Sequence, residues 1–196
     1  MASIAGTNYG LMTVLVADVA GYSKLMSRNE IETSHRVEQA ITLIQQLATD
    51  YGGTIKGVAG DGIVAIFNNV SNCVNFAIAM QQEFVNDTVW HTREEPIVFR
   101  IGINMGDVSE GKFGLQGHAI NVASRLQTLA KPGGICISKA ILQVSTKLAQ
   151  VPLRSLGTPE MKNIAEPIEV FEIEPQGLAA EPRISTPAIV ERFVDQ

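Results

Sequence analysis

Apolar residues in this chain follow two spacings, and the change between them divides the sequence into strands and helices. Nearly continuous apolar runs at Leu11–Ala17 and Ile97–Met105 are typical of strands. Within the second run, alternation puts Arg100 on the opposite face from Phe99 and Ile101. Later apolar runs predict further strands at Ile135–Ser138, Val151–Leu156 and Ile168–Ile173.

Helical spacing of apolar residues appears in the segments between these strands. Ser27 and Glu30 fit a capping box at the start of the first helix, which ends before Gly52-Gly53. Ser71 is expected to cap the second helix. The remaining predicted helices are Asn72–Val85, His118–Ala130 and a short one at Lys139–Lys147.

Two strand-forming runs, Thr54–Ala59 and Ile63–Phe67, are predicted to form a hairpin because Gly60-Asp61-Gly62 joins them. Asp-Gly is a strong signal for a tight turn with positive φ, so the carboxylate of Asp61 is expected at the hairpin tip. A second aspartate, Asp18, ends the first strand. Two carboxylates at neighbouring strand ends can bind a divalent cation. A role in the turn alone is the other interpretation of Asp61.

Composition narrows the class of protein. The chain has 196 residues, 45% hydrophobic and 18% charged, which fits one globular domain. A net charge of −5 argues against a nucleic-acid surface, which needs a basic field. Cys73 and Cys136 lie in apolar contexts without CxxC spacing, so we expect buried free thiols. No apolar run reaches the ~18 residues of a membrane span and no signal-peptide pattern opens the chain, so the sequence predicts a cytoplasmic protein without membrane insertion.

The predicted domain organisation has three parts. Met1–Gly10 is expected to be a loose lead-in, Leu11–Glu174 the globular domain, and Pro175–Gln196 a tail or linker that carries a short helix at Ala188–Phe193. Hairpins interrupt the alternation of strands and helices, so we expect an α+β fold with a mostly antiparallel sheet and helices packed on it.

The two commonest phosphate-binding loops, G-x-x-x-x-G-K-[ST] and G-x-G-x-x-G, are absent. Phosphate chemistry would therefore depend on metal ions and scattered Arg and Lys side chains. Gly21, after the first strand, could let the backbone turn so that N–H groups face an anion. Turn formation alone is the other interpretation of this glycine.

Several segments, in the same order along the chain, resemble the catalytic domains of class III adenylate/guanylate cyclases, most closely the bacterial branch. They are VLVADVAGYSKLM, GGTIKGVAGDGIVAIF, FRIGINMGDV, GHAINVASRL, KPGGICIS and MKNIAEPIEVFEI, and they extend from about Thr13 to Ile173. The resemblance implies a ferredoxin-like α/β sandwich, consistent with the antiparallel sheet. It also implies a head-to-tail homodimer with active sites shared across the interface.

By this resemblance, Asp18 and Asp61 are the two metal-binding aspartates, assisted by the carbonyl of Val19. They would hold two Mg²⁺ or Mn²⁺ ions, which lower the pKa of the ribose 3′-OH and clamp the phosphates. The 3′-oxygen would then attack the α-phosphorus in line and expel pyrophosphate. The loop residues expected beside the nucleotide phosphates are Gly21, Tyr22 and Ser23.

The resemblance assigns further roles to four cationic or amide side chains. Asn121 matches the residue that orients the ribose, and Arg125 the arginine that stabilises charge on the α-phosphate. Their i, i+4 spacing puts both on one helix face, where a solvated pair without function is the other interpretation. Arg100 and Lys162 match positions that hold the departing phosphates.

The chain departs from the family at the positions that read the purine. The base-reading lysine is replaced by Gly57, and strand alternation is expected to point the neighbouring Lys56 to the other face. The base-reading aspartate is replaced by Gly114, and the aromatic residue two positions on by Gln116. The sequence therefore supports metal–phosphate chemistry better than recognition of a particular base.

Two hypotheses follow from these residues. The first is an adenylate cyclase that acts in signal transduction, with ATP favoured over GTP as substrate, supported by the intact metal, ribose and phosphate positions. The second is a weak or inactive homologue that binds a nucleotide or a partner as a regulatory module, supported by the glycines at the base-reading positions.

Overall fold

The structure is a computed structural model that describes residues 8–86, 90, 96–112, 114–145, 148 and 151–173. The predicted tail 175–196 and its short helix lie outside the described residues, as does most of the predicted lead-in. The strands are β1 Asn8–Val19, β2 Gly53–Ala59, β3 Gly62–Phe67, β4 Phe99–Gly111, β5 Gly114–Gln116, β6 Ile135–Ser138, β7 Leu153–Gly157 and β8 Val170–Ile173. The helices are α1 Tyr22–Arg28, α2 Glu30–Asp50, α3 Val70–Asn86, α4 His118–Leu129 and α5 Lys139–Val144.

The strands form one sheet in the order β2-β3-β1-β4-β6-β8-β7, and β5 pairs with β4. Neighbouring strands are antiparallel except for β4 and β6, which are parallel. The predicted α+β class and the mostly antiparallel sheet are therefore confirmed.

Helices cover both faces of the sheet, and alternation along β1 assigns its side chains to them. Leu15, Ala17 and Val19 point into the core shared with α2 and α3. Val14 points to the other face, where Ala119 and Ala123 of α4 pack. Asp18 is two positions beyond Val16, so its side chain lies on the α4 face.

Helix α4 lies directly on β4 because β4 carries glycine at the point of contact. A Cβ at Gly102 would lie 2.1 Å from the carbonyl oxygen of Ala123 and 2.2 Å from the amide nitrogen of Gln127. No side chain fits there, so the glycine fixes the height of the helix above the sheet.

Both predicted helix caps are wrong, and an asparagine replaces each. The Asn29 side chain accepts the Glu32 N–H at 3.1 Å at the start of α2, whereas Ser27 donates to the Lys24 carbonyl within α1. Asn29 is extended, with φ −153° and ψ 92°, so the chain divides into two helices there. Asn69, and not Ser71, accepts the Asn72 N–H at 3.1 Å at the start of α3.

Two other predictions from composition can be compared with the structure. Cys73 and Cys136 are free and buried, as expected. No helix in the described part of the chain combines the length and hydropathy that crossing a membrane requires.

Candidate functional site

The β2–β3 hairpin turns through Gly60 and Asp61, since Ala59 pairs with Gly62. Gly60 takes a positive φ of 60°, whereas Asp61 and Gly62 do not. The tip therefore forms as the sequence predicts, but the glycine before the aspartate supplies the required conformation.

The Asp61 side chain is anchored at the end of the central strand. The Val19 N–H donates to Asp61 Oδ2 at 3.1 Å. Antiparallel pairing of β1 with β3, up to Ala17 opposite Ile63, brings the hairpin tip to this position. The register of the sheet thus places Asp61 beside the residue that follows Asp18.

Asp18 lies directly opposite Arg100 on β4, and the two side chains form a bidentate ion pair. Arg100 Nε donates to Oδ1 at 3.0 Å, and Nη2 donates to Oδ2 at 2.9 Å. The side chains are 28% and 27% exposed for Arg100 and Asp18. Both carboxylate oxygens of Asp18 are therefore engaged by one planar guanidinium.

The pKa of Asp61 depends on its burial, on backbone hydrogen bonds and on the charges of Asp18 and Arg100. Burial raises the pKa of Asp61, and the negative charge of Asp18 raises it further. Hydrogen bonds from backbone N–H groups, including that of Val19, and the positive charge of Arg100 oppose this rise in pKa. Arg100 therefore pairs directly with Asp18 and acts on Asp61 only through its charge.

This donor set fits a hard divalent cation completed by a phosphate ligand. Among the described residues, no group of three or more His, Cys, Asp or Glu side chains could hold a metal ion. Mg²⁺ commonly binds one or two carboxylates, keeps water ligands and takes substrate phosphates as the rest. The oxygen ligands of Asp18 and Asp61 match that preference, and Mn²⁺ accepts the same donors.

The loop after β1 carries the predicted phosphate-facing residues. Gly21 has a φ of 73°, and the preceding Ala20 N–H donates to the Val98 carbonyl at 2.7 Å. Gly21 and Ser23 are exposed, whereas the Tyr22 side chain packs partly against the core. The loop lies next to the carboxylates, but Tyr22 is partly occupied by packing.

The predicted ribose and α-phosphate residues, Asn121 and Arg125, lie on α4. Val122 and Leu126 are buried against the sheet, and Asn121 is exposed on the outward side of the helix. Arg125 Nε donates to the Lys162 carbonyl at 3.1 Å, so these two predicted residues come together. The predicted residues thus form two clusters: Asp18, Asp61 and Arg100 at the end of β1, and Asn121, Arg125 and Lys162 at α4.

The expectation for Lys56 is wrong, because a β-bulge interrupts the alternation. Ile55 pairs with Ala65, but Gly57 pairs with Val64, so no residue of β3 lies opposite Lys56 in the strand pairing. Lys56 Nζ donates to both carboxylate oxygens of Glu110, at 2.9 and 2.8 Å. Glu110 is two positions beyond Val108 on β4, so it lies on the α4 face.

Gly114 and Gly57 differ in backbone conformation, because only Gly114 has a positive φ. Its φ is 92°, a conformation that side chains other than glycine rarely adopt. Gly57 has no such restriction, and a Cβ there would meet Val64 only at 4.0 Å. An aspartate at position 114 would therefore strain this turn, whereas a lysine at position 57 would not.

Sequence reasoning missed the Lys56–Glu110 and Asp18–Arg100 pairs. The second had a signal, since opposite charges at the ends of two apolar strands can meet across a sheet. The first depends on the bulge, for which the sequence gives only the weak signal of Gly57 inside a strand.

Comparison with known families gives the geometry its context. The sequence profile described as "Adenylate and Guanylate cyclase catalytic domain" matches residues 4–174. The chain belongs to this cyclase family. "Putative adenylate cyclase 3" of Rhizobium meliloti is 32% identical over 174 residues, covering 88% of this chain and 30% of the relative. The adenylate cyclase of Anabaena cylindrica is 28% identical and is covered over 36% of its length. The chain thus spans about a third of these curated relatives.

Solved structures agree with the fold of this cyclase domain. An adenylate/guanylate cyclase/hydrolase from Silicibacter pomeroyi matches with a TM-score of 0.78 and 35% identity, covering 86% of this chain and 98% of that one. The adenylyl cyclase CyaB from P. aeruginosa matches with a TM-score of 0.79 and 22% identity, covering 92% of this chain and all of the other. The latter similarity is evidence for the fold alone.

The raised pKa of Asp61 generates a stability prediction for the metal-free protein. An ionised carboxylate whose folded pKa is raised destabilises the fold above that pKa and ceases to do so below its ordinary value. Asp61→Asn keeps an acceptor for the Val19 N–H but removes the charge. We expect the variant to raise the Tm by about 2–5 °C at pH 7.5, with a difference that shrinks as the pH falls.

Thermal unfolding followed by circular dichroism with a chelator present measures this difference. Asp107→Asn, at an exposed carboxylate on β4, is the control and should change the Tm by less than about 1 °C. A lower Tm for Asp61→Asn at pH 7.5 would contradict the prediction.

Proposed function

We propose that the chain cyclises a purine nucleoside triphosphate, ATP in preference to GTP, to the cyclic nucleotide and pyrophosphate in signal transduction. The observation that carries the proposal is that Asp18 and Asp61 converge at the end of β1. There the Arg100 guanidinium from β4 binds Asp18. The preference for ATP rests on two of the curated relatives, named "Putative adenylate cyclase 3" and "Adenylate cyclase". The cytoplasmic location remains a prediction.

In the proposed reaction, the ribose 3′-OH gives up its proton to solvent water, and the 3′-oxygen forms a bond to the α-phosphorus. The bond from the α-phosphorus to the oxygen bridging to the β-phosphate breaks, and pyrophosphate leaves with that electron pair. Divalent cations held by Asp18 and Asp61 would lower the pKa of the 3′-OH and neutralise negative charge on the phosphates. Arg100 and Lys162 would hold the departing phosphates, and Arg125 would stabilise the charge that develops on the α-phosphate.

A second copy of the chain completes this proposed site. Asn121 is exposed on α4 and Arg125 Nε donates to the Lys162 carbonyl, whereas Asp61 accepts from the Val19 N–H at the end of β1. We infer that one nucleotide contacts the two clusters from different protomers. A head-to-tail homodimer with two-fold symmetry would join the carboxylate cluster of one protomer to the α4 cluster of its partner, twice.

Catalysis can be tested with the purified chain, Mn²⁺ and either ATP or GTP, with chromatography of the products. We expect cyclic nucleotide and an equal amount of pyrophosphate, because ring closure releases one per turnover. Asp61→Ala should reduce the rate by at least about 100-fold, since it removes one of two cation ligands.

The matched control is Asp107→Ala, an exposed aspartate on β4 outside both clusters. Absence of cyclic product from both substrates in a dimeric sample would refute the proposed reaction. Nucleotide-induced thermal stabilisation in that same sample would then favour the regulatory binding module, the alternative that Gly57 and Gly114 support.

The shared site predicts complementation between inactive variants. Asp61→Ala and Asn121→Ala disable different clusters, so a mixed dimer contains one intact site out of two. Co-refolding equal amounts should recover about a quarter of the wild-type rate, because half of the dimers are mixed.

The control for complementation is a mixture of Asp61→Ala with Asp18→Ala. Both changes lie in the same cluster, so every site of the mixed dimer lacks one carboxylate and no activity should return. Equal recovery in the two mixtures would argue against sites shared between protomers.

Lys56 and Glu110 are the polar side chains adjacent to the two substituted base-reading positions. Lys56 precedes Gly57, and Glu110 on β4 pairs with Leu115, the residue after Gly114. Together they offer hydrogen-bond donors and acceptors side by side, the combination that a purine edge requires.

Base selectivity should therefore depend on this ion pair. Lys56→Met keeps the aliphatic stem and removes the donors, so we expect the ATP:GTP ratio of kcat/KM to change by about tenfold or more. Lys139→Met, at a lysine paired with Glu169 elsewhere on the surface, is the control. An unchanged ratio in Lys56→Met would mean that this side chain does not read the base.

A further inference from the structure

In the ion pair between Asp18 and Arg100, the guanidinium occupies the carboxylate oxygens that the proposed cation site requires. Arg100 uses both oxygens of Asp18, through contacts of 3.0 and 2.9 Å. A cation that binds Asp18 and Asp61 together needs at least one of those oxygens. The guanidinium and the cation therefore compete for the same ligand.

We propose that Arg100 is the counter-ion of the Asp18–Asp61 pair in the cation-free protein and is exchanged during ligand binding. The cation takes the carboxylates, and the released Arg100 binds the phosphate ligand. This inference rests on the cation site of the proposed function and adds the order in which charges change partners.

The charges of Asp18, Asp61 and Arg100 favour this exchange. Two carboxylates and one guanidinium leave a net charge of −1, and the cluster reaches +1 when the first divalent cation joins it. A guanidinium and a divalent cation within a few ångströms repel each other, most strongly where water is partly excluded. The cation thereby weakens the hold of Asp18 on Arg100, and the excess positive charge attracts a phosphate.

The two carboxylates have different hydrogen-bond donors. Only the contact between Asp18 and Arg100 can be broken by rotation of the donor side chain. Asp61 accepts from the backbone N–H of Val19, which is fixed by the sheet. Asp18 is held by a long side chain that is 28% exposed and can turn about its own bonds. Arg100 can therefore leave Asp18 without any movement of β1 or β4.

The alternative is that the Asp18–Arg100 ion pair is a permanent structural contact between β1 and β4, and this alternative predicts the opposite effect on cation binding. In that case Arg100 would support the carboxylates in place, and its removal would weaken cation binding. The exchange instead predicts that removal of Arg100 strengthens cation binding and weakens phosphate binding. One variant thus shows two effects of opposite sign, which a lost structural contact does not produce.

The first arm of the experiment measures Mn²⁺ binding to the full chain by isothermal titration calorimetry, without nucleotide. Arg100→Gln should bind Mn²⁺ more tightly than wild type, by on the order of tenfold, since a bidentate competitor is lost. Arg100→Lys keeps the charge without the planar fork, so its affinity should fall between the two. Lys139→Gln removes one positive charge at a surface pair and should match wild type.

The second arm uses inorganic pyrophosphate as the probe with Mn²⁺-saturated protein. Arg100→Gln should bind pyrophosphate more weakly than wild type, by on the order of tenfold, because the released guanidinium is missing. Arg100→Lys should again be intermediate, and it keeps the test available if Arg100→Gln does not fold.

Unchanged or weaker Mn²⁺ binding in both Arg100 variants would overturn the exchange and leave the proposed reaction intact. Pyrophosphate binding that is unaffected by either variant would also overturn it. If wild type binds no Mn²⁺ at millimolar concentration, the exchange and the cation site of the proposed function fail together. Tight Mn²⁺ binding with the expected variant effects but no cyclic product would uphold the exchange and refute the cyclase reaction.

Discussion

The pairing of β1 along both of its edges is the constraint on which the candidate site depends. One edge pairs with β3, which brings the hairpin tip and Asp61 to the Val19 N–H. The other pairs with β4 in a register that sets Asp18 opposite Arg100. A shift of one residue on either edge would turn a charged side chain to the opposite face of the sheet. The site is thus specified by sheet register, and the buried apolar residues of β1 hold that register.

Much of this arrangement follows from local sequence, because it needs only strand alternation and one turn. Alternation places Arg100 on the correct face of β4, and the glycine beside Asp61 places its carboxylate at a hairpin tip. Features that depend on contacts between distant segments were not predictable in this way. Examples are the hydrogen bond from Val19 to Asp61 and the bulge that turns Lys56 toward Glu110. The helix caps failed for a local reason: serine and asparagine compete as caps, and an asparagine stood nearby in each case.

The carboxylate cluster also shows a conflict between stability and function. Burial and mutual repulsion oppose ionisation of Asp61, and a fold selected for stability alone would not keep two carboxylates here. Arg100 partly offsets this cost through its pairing with Asp18. The cost arises from side-chain charges, and β1 and β4 pair around them in unbroken register. A ligand can therefore relieve it without disturbing the sheet.

The separation of the two clusters has a consequence for regulation of this cyclase domain. Within one protomer, α4 is held at fixed height over β4 by Gly102. In the proposed homodimer, the relative position of the two protomers would bring Asn121 and Arg125 to the carboxylates of a partner. In a two-fold dimer, any rotation of one protomer opens or closes both sites equally. Control of such a domain would then act on the packing between protomers, while the chemistry of each cluster stays as the sheet has fixed it.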